Sequence, residues 1–133
     1  MQFLLTTPAL AYAIYLVSAL VLLGLFAFAY SHVTVFDEMT LIRQGNTAAT
    51  LSFCGALTGF SLTLCSSVVI HASYAMFLTW AIGAMAVQIL AYSVASRVIR
   101  GMNQAIREGN AAMGGLMGGI SLSVGIINAA CLT

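Results

Sequence analysis

One polar phrase is written twice in this chain. Ile42-Arg43-Gln44-Gly45-Asn46-Thr47-Ala48-Ala49 recurs as Ile106-Arg107-Glu108-Gly109-Asn110-Ala111-Ala112-Met113, offset by 64 residues. In a chain of 133 residues that spacing means two copies of one unit. Each phrase lies between long uncharged stretches, so the unit reads as helix, polar elbow, helix. The expected fold is an all-α membrane protein. Its four transmembrane helices come from a tandem parallel repeat of two-helix units with short interfacial cytoplasmic helices. A single membrane domain covers residues 1–133, with repeat one over about 8–70 and repeat two over about 72–133.

Composition agrees with this solvent. With 62% hydrophobic and 5% charged residues, a soluble domain of this size would expose large apolar patches. No lysine occurs, and the formal charges fall in two windows: Asp37, Glu38 and Arg43, then Arg97, Arg100, Arg107 and Glu108. A membrane span needs about 20 residues. The N-terminal stretch offers one, with Thr7 and Pro8 suited to the cap and first turn and an end near Tyr30. The uncharged interval from Gln44 to Ser96 is too long for one crossing of roughly 30 Å and must fold back. His71, Ala72 and Ser73 form the hairpin, with Ser73 capping the returning helix. Spans are expected near 8–30, 47–70, 74–97 and 111–131. A cleaved signal peptide would begin with Lys or Arg and carry a shorter apolar region, so the first stretch reads as a retained span.

Orientation follows from the arginines. Arg43, Arg97, Arg100 and Arg107 all follow the first or third span, and cationic residues near short loops stay in the cytoplasm. These basic elbows are therefore expected inside, with both termini and the His71 hairpin in the periplasm. Two spans per copy make the repeat parallel, related by an axis along the membrane normal, unlike the inverted repeats of many carriers.

The elbows carry helical spacing in Val35, Met39 and Ile42, and again in Val98, Met102 and Ala105. Thr34 and Asp37 resemble an N-terminal capping pair. Gly45 and Gly109 suit the left-handed residue that ends a helix, and Asn46 and Asn110 the cap that starts the next. A Gly-Asn turn at a helix N-terminus could also hold an anion, but nothing except arginine adds ligand chemistry here, so a plain turn is preferred.

Small residues single out the second and fourth spans. Ala48, Ser52, Gly55 and Gly59 form one face of the second; Gly114, Gly118, Ser121 and Gly125 form one face of the fourth, with Gly115 and Gly119 as a second small pair. Such faces let helix backbones touch, and packing is what joins helices in lipid. These two spans are expected to form the core, with the bulkier first and third facing lipid. Thr50, Cys54, Thr58, Ser61 and Cys65 line nearly the opposite side of the second span. That surplus face suggests a homo-oligomer; alternatively Thr50, Thr58 and Ser61 line a pore. Gln88 and Asn128 are the strongest buried polar groups and are expected to clamp helices together.

Other chemistry is sparse. Cys65 and Cys131 lie towards the outer side, where a disulfide could form, although three small apolar fillers are preferred for Cys54, Cys65 and Cys131. His32 and His71 lie at opposite faces and cannot share a metal. Asp37 and Glu38 have nothing nearby in sequence to perturb them. No zinc spacing, nucleophile elbow, phosphate loop or catalytic carboxylate pair is present, so no catalytic residue, metal or cofactor is expected and enzyme activity is not. The basic, aromatic surface of a nucleic-acid binder is missing.

The chain resembles a family, the YjfL-type small bacterial inner-membrane proteins (domain of unknown function 350). The likeness rests on Ile42 to Ala49 and Ile106 to Ala112, Glu38 before the first element, the Val87-Gln88 pair, and Asn128-Ala129-Ala130-Cys131. It implies a bacterial inner-membrane location, four spans and an envelope-associated role, with no known activity. The second copy departs from the first in placing Gly101 and Met102 where the first has Asp37 and Glu38.

Two functional readings follow. The preferred one is a homo-oligomeric scaffold or interaction module in the lipid bilayer, its arginine elbows facing anionic lipid or a cytoplasmic membrane-associated partner. The other is an oligomeric channel or pathway for ions or small solutes. The scaffold is preferred because no charged residue sits at mid-membrane.

Overall fold

The computed structural model describes residues 7–71 and 73–132. Six helices follow one another: α1 (Pro8–Val33), α2 (Glu38–Arg43), α3 (Thr47–Ile70), α4 (Tyr74–Val98), α5 (Met102–Arg107) and α6 (Ala111–Cys131). Four of them, α1, α3, α4 and α6, are long and apolar enough to cross a membrane. Chain order is therefore long, short, long, and then the same again. Ala72 of the expected hairpin lies outside the described residues. Next to it, Ser73 caps α4 by accepting from the Met76 amide at 3.2 Å.

Helix ends depart from expectation in three places. α1 runs to Val33 instead of Tyr30, and the extended Thr34 then closes it with its amide on the Tyr30 carbonyl. Its first residue is Pro8, but the Thr7 side chain makes no cap bond. Thr34 does not cap α2: its hydroxyl donates to the Ser31 and Phe36 carbonyls at 3.1 and 3.2 Å. That role falls to Asp37, which accepts from the Thr40 amide at 3.3 Å. Val35 consequently precedes α2, and Val98 closes α4 rather than joining α5.

The centre of the molecule is the α3–α6 pair, two parallel helices in contact along their length. A Cβ on Gly55 would fall inside the backbone of Gly118, one on Gly114 inside that of Ala48, and one on Gly125 inside that of Gly59. At Gly59 a Cβ would lie 2.7 Å from the Ser121 carbonyl oxygen and 2.8 Å from Gln88 Nε2. With no side chains between them the backbones meet directly, and dispersion over that contact substitutes for the hydrophobic effect that lipid does not supply. α4 packs on both α3 and α6, and α1 on α3 and α4. α1 buries only Leu22, Phe26 and Tyr30. Phe26 stacks on Phe60 with centroids 4.6 Å apart, and Tyr30 meets Tyr92 edge-on at 5.1 Å. Its remaining faces, with Val17, Leu20, Leu25 and Phe28, are exposed, as befits a helix solvated by acyl chains.

Candidate functional site: a buried carboxyl group at the arginine-bearing end

The two elbows are tied to each other. Asn46 caps α3 by accepting from the Ala49 amide at 3.0 Å, and its Nδ2 donates to the Ile106 and Arg107 carbonyls at 2.9 and 3.3 Å. Arg107 reaches back to donate to the Val35 carbonyl. Asn110 caps α6 from the Met113 amide at 3.3 Å. Gly45 and Gly109 both adopt φ +83°, the left-handed backbone that a Cβ would strain. Gly101 adopts it too, at φ +76°, a turn that the repeat alone did not reveal because its counterpart is Asp37. Arg43, Arg97, Arg100 and Arg107 are all exposed at this end.

Beneath the tied elbows lies Glu38, whose side chain is fully buried. Ser31 donates to its Oε2 at 3.2 Å, while Oε1 has no hydrogen-bond partner. Burial raises its pKa to about 7 from an ordinary 4.5, with the adjacent Asp37 charge adding to the rise and the Ser31 and Thr34 hydroxyls opposing it. The carboxyl therefore changes charge near neutrality. This corrects the expectation that nothing perturbs the acidic pair. Asp37 moves the other way: the Thr40 hydroxyl at 2.7 Å, then its amide, hold its carboxyl below the ordinary range. Tyr30 and Tyr92 line the space behind Glu38; the Tyr30 hydroxyl lies 3.5 Å from Ser52 Oγ, and Tyr92 donates to Asn103 at 2.9 Å. Met102 and Ile106 of α5 are both fully buried as well.

Deeper in the bundle Gln88 donates from Nε2 to the Ser121 carbonyl at 2.7 Å, joining α4 to α6. Asn128, expected to clamp in the same way, leaves Nδ2 buried without a partner, as are Gln88 Oε1 and Ser121 Oγ. On α3, Thr50 and Ser61 donate to carbonyls of their own helix, Asn46 at 3.1 Å and Leu57 at 2.8 Å. Thr58 lies exposed on the same side, so in a single chain these hydroxyls enclose nothing. Ala48, Ser52, Gly55, Gly59, Gly114, Gly118, Ser121 and Gly125 all lie in the α3–α6 contact or directly beside it. Cys54, Cys65 and Cys131 are free and exposed, not packed fillers. Among the described residues no three His, Cys, Asp or Glu side chains converge on a common point.

The model of the family described as Domain of Unknown Function (DUF350) matches residues 3–132. This chain is a DUF350 protein. The DUF350 chain is 33% identical over 124 residues to UPF0719 inner membrane protein YjfL of Escherichia coli strain K12, covering 93% of this chain and 94% of that one. The protein of the same description from Escherichia coli O157:H7 matches to the same extent. No solved structure matches it. Sequence reasoning about this DUF350 chain missed the burial of Glu38, although a signal was present: 64 residues on, the corresponding position is Met102, an apolar side chain. Both positions point inward, Glu38 and Met102 each being fully buried.

Proposed function

We propose that this protein is a small multi-pass protein of the bacterial inner membrane that assembles with copies of itself into a scaffold. Residues 8–70 and 72–133 are its two tandem units, and both termini lie in the periplasm. Clustering of its four arginines at one end of the helix bundle carries the reading. Guanidinium groups held there lie at the cytoplasmic surface, each attracting anionic lipid by about 1 kcal/mol. The short helices α2 and α5 rest in that interface, presenting the surface to lipid or to an acidic cytoplasmic partner. The description of its relatives as inner membrane proteins supports the location. No catalytic role is proposed.

Replacing Arg43, Arg97, Arg100 and Arg107 together by Gln tests the surface. Co-sedimentation with liposomes containing anionic lipid should fall markedly at unchanged helix content. Undiminished sedimentation would remove the reading. Labelling of Gln44→Cys or Asn103→Cys from the periplasmic side of intact cells would overturn the orientation.

A second reading, a pathway for ions or small solutes, is favoured by one observation: Glu38 Oε1, Gln88 Oε1, Ser121 Oγ and Asn128 Nδ2 are buried without partners, and such atoms attract water or cations. A route along Thr50, Thr58 and Ser61 requires a neighbouring chain to enclose it. Flux into liposomes that responds to Gln88→Leu would favour the pathway.

A further inference from the structure

The α3–α6 joint is made of unlike faces. α3 contributes Ala48, Leu51, Ser52, Gly55 and Gly59, and α6 contributes Gly114, Gly118, Ser121 and Gly125. With the repeat offset of 64 residues, Gly114, Gly118 and Gly125 correspond to Thr50, Cys54 and Ser61 of α3, not to Ala48, Ser52 and Gly59. Two residues along a helix are about 200° around it. Face one of the first unit thus meets face two of the second. A joint of that kind always leaves one face of each type over. The leftovers are Thr50, Cys54 and Ser61 on α3, and Ala112, Gly115, Leu116, Gly119 and Ser123 on α6, all exposed or half-exposed.

We propose that these leftover faces meet between chains: α3 of one copy packs against α6 of the next, so that copies join head to tail into a closed ring in the membrane plane. This rests on the self-association proposed above and specifies its partner surface. The residues pair by carrying the in-chain contacts across. Gly118 against Leu51 and Gly55 becomes Cys54 against Gly115 and Gly119, with the bulk moved to the other side. Gly125 against Gly59 becomes Ser61 against Ser123, and Gly114 against Ala48 becomes Thr50 against Ala112.

Two further features fit this partner. An apolar groove of about 610 Å³ between α1 and α3, lined by Tyr12, Tyr15, Leu16, Leu64, Cys65 and Val68 among others, adjoins the free face of α3. Within the chain the corresponding angle between α4 and α6 is filled by α3, which packs on both. The neighbour brings Ile126 and Ile127, 53% and 64% exposed beside Ser123, to fill the groove. Gly119 is the second feature. Nothing lies within 4 Å of a Cβ built there, whereas the corresponding Gly55 meets the Gly118 backbone; a neighbouring chain gives Gly119 the same use. The ring closes because unlike-face joints between rigid units generate rings when each step rotates. Here α4 packs on both α3 and α6, and α1 on α3 and α4, an arrangement that widens each chain beside the α3–α6 pair and turns each step.

The full chain in nanodiscs tests this by cross-linking and mass. In a Cys65→Ala, Cys131→Ala background, Leu116→Cys with native Cys54 should give a ladder of covalent multimers on oxidation, lost on adding Cys54→Ala. Gly119→Leu should reduce the native mass to the 13.9 kDa of one chain with helix content and melting unchanged, while Gly24→Leu, equally uncrowded in the chain, keeps the multimer. If the background without Leu116→Cys forms dimers through Cys54 alone, like faces meet and the ring is overturned while self-association stands. If every variant and the wild type are single chains, with lipid in the groove, self-association falls as well.

Discussion

Glu38→Gln isolates the cost of burying one carboxyl group. Its pKa is about 7 in the fold against 4.5 in the open chain. Between those values the folded state holds the proton that the unfolded state has lost, so stability falls as pH rises across the window. Below about 4.5 both states are protonated and above about 7 both are ionised, so Glu38 adds no slope in either region. At about 1.4 kcal/mol per pH unit the full effect across that window is at most about 3.5 kcal/mol; relaxation of the elbow around the charge reduces the expected value to about 1–2 kcal/mol. Glutamine keeps the shape and the bond from Ser31 but cannot ionise. Thermal unfolding in detergent should therefore show the wild type losing stability from about pH 5 to about pH 8, the variant changing less, and the variant more stable at the upper end. Parallel curves for the two proteins would show that the carboxyl is already ionised throughout, and the argument from burial would fail.

Other substitutions separate the roles of paired residues. Asn46→Ala should cost about 2 kcal/mol, losing a cap and two bonds to the second elbow, against about 1 kcal/mol for Asn110→Ala, which loses a cap alone; chemical unfolding of the two variants side by side gives the difference. Gly118→Leu should cost about 3 kcal/mol or more by driving a side chain into the α3 backbone, whereas Gly24→Leu should leave unfolding unchanged because nothing approaches Gly24. Gln88→Leu should cost about 1 kcal/mol, in the range of hydrogen bonds between membrane helices, read in the same unfolding assay.

Periodicity and charge placement made most of the fold legible. Uncharged stretches bounded by arginine fix where helices can enter lipid, and the glycines of α3 and α6 mark where backbones can touch, because in lipid only close packing distinguishes one helix face from another. The elbows were less legible. Thr34 reads as a cap by spacing, yet its hydroxyl serves the end of α1, since Asp37 stands where the following amides point. Asn46 reads as a cap and is one, but its two bonds to the second elbow come from tertiary placement that no local pattern encodes. Glu38 was the costliest omission. A charged residue beside a polar phrase reads as solvated, and only the tertiary placement of Ser31, Tyr30 and Tyr92 beside it reveals that it turns inward.

The second elbow supplies the control for that residue. Met102 occupies the place corresponding to Glu38 and is fully buried among apolar neighbours, so the elbow folds without a carboxyl group there. Met102→Glu transfers the acid into the second elbow, where the preceding residue is Gly101 and supplies no like charge such as Asp37 gives Glu38. Desolvation is the largest cause of the Glu38 shift and the neighbouring charge the smallest. A glutamate at 102 should consequently rise by a similar amount, and the variant should unfold more readily at about pH 8 than at about pH 5, adding to the slope from Glu38. If instead the variant shows the wild-type pH dependence, the second elbow must open to water around the new carboxylate. The two elbows would then differ in rigidity, the first holding its acid away from water through stiffer packing.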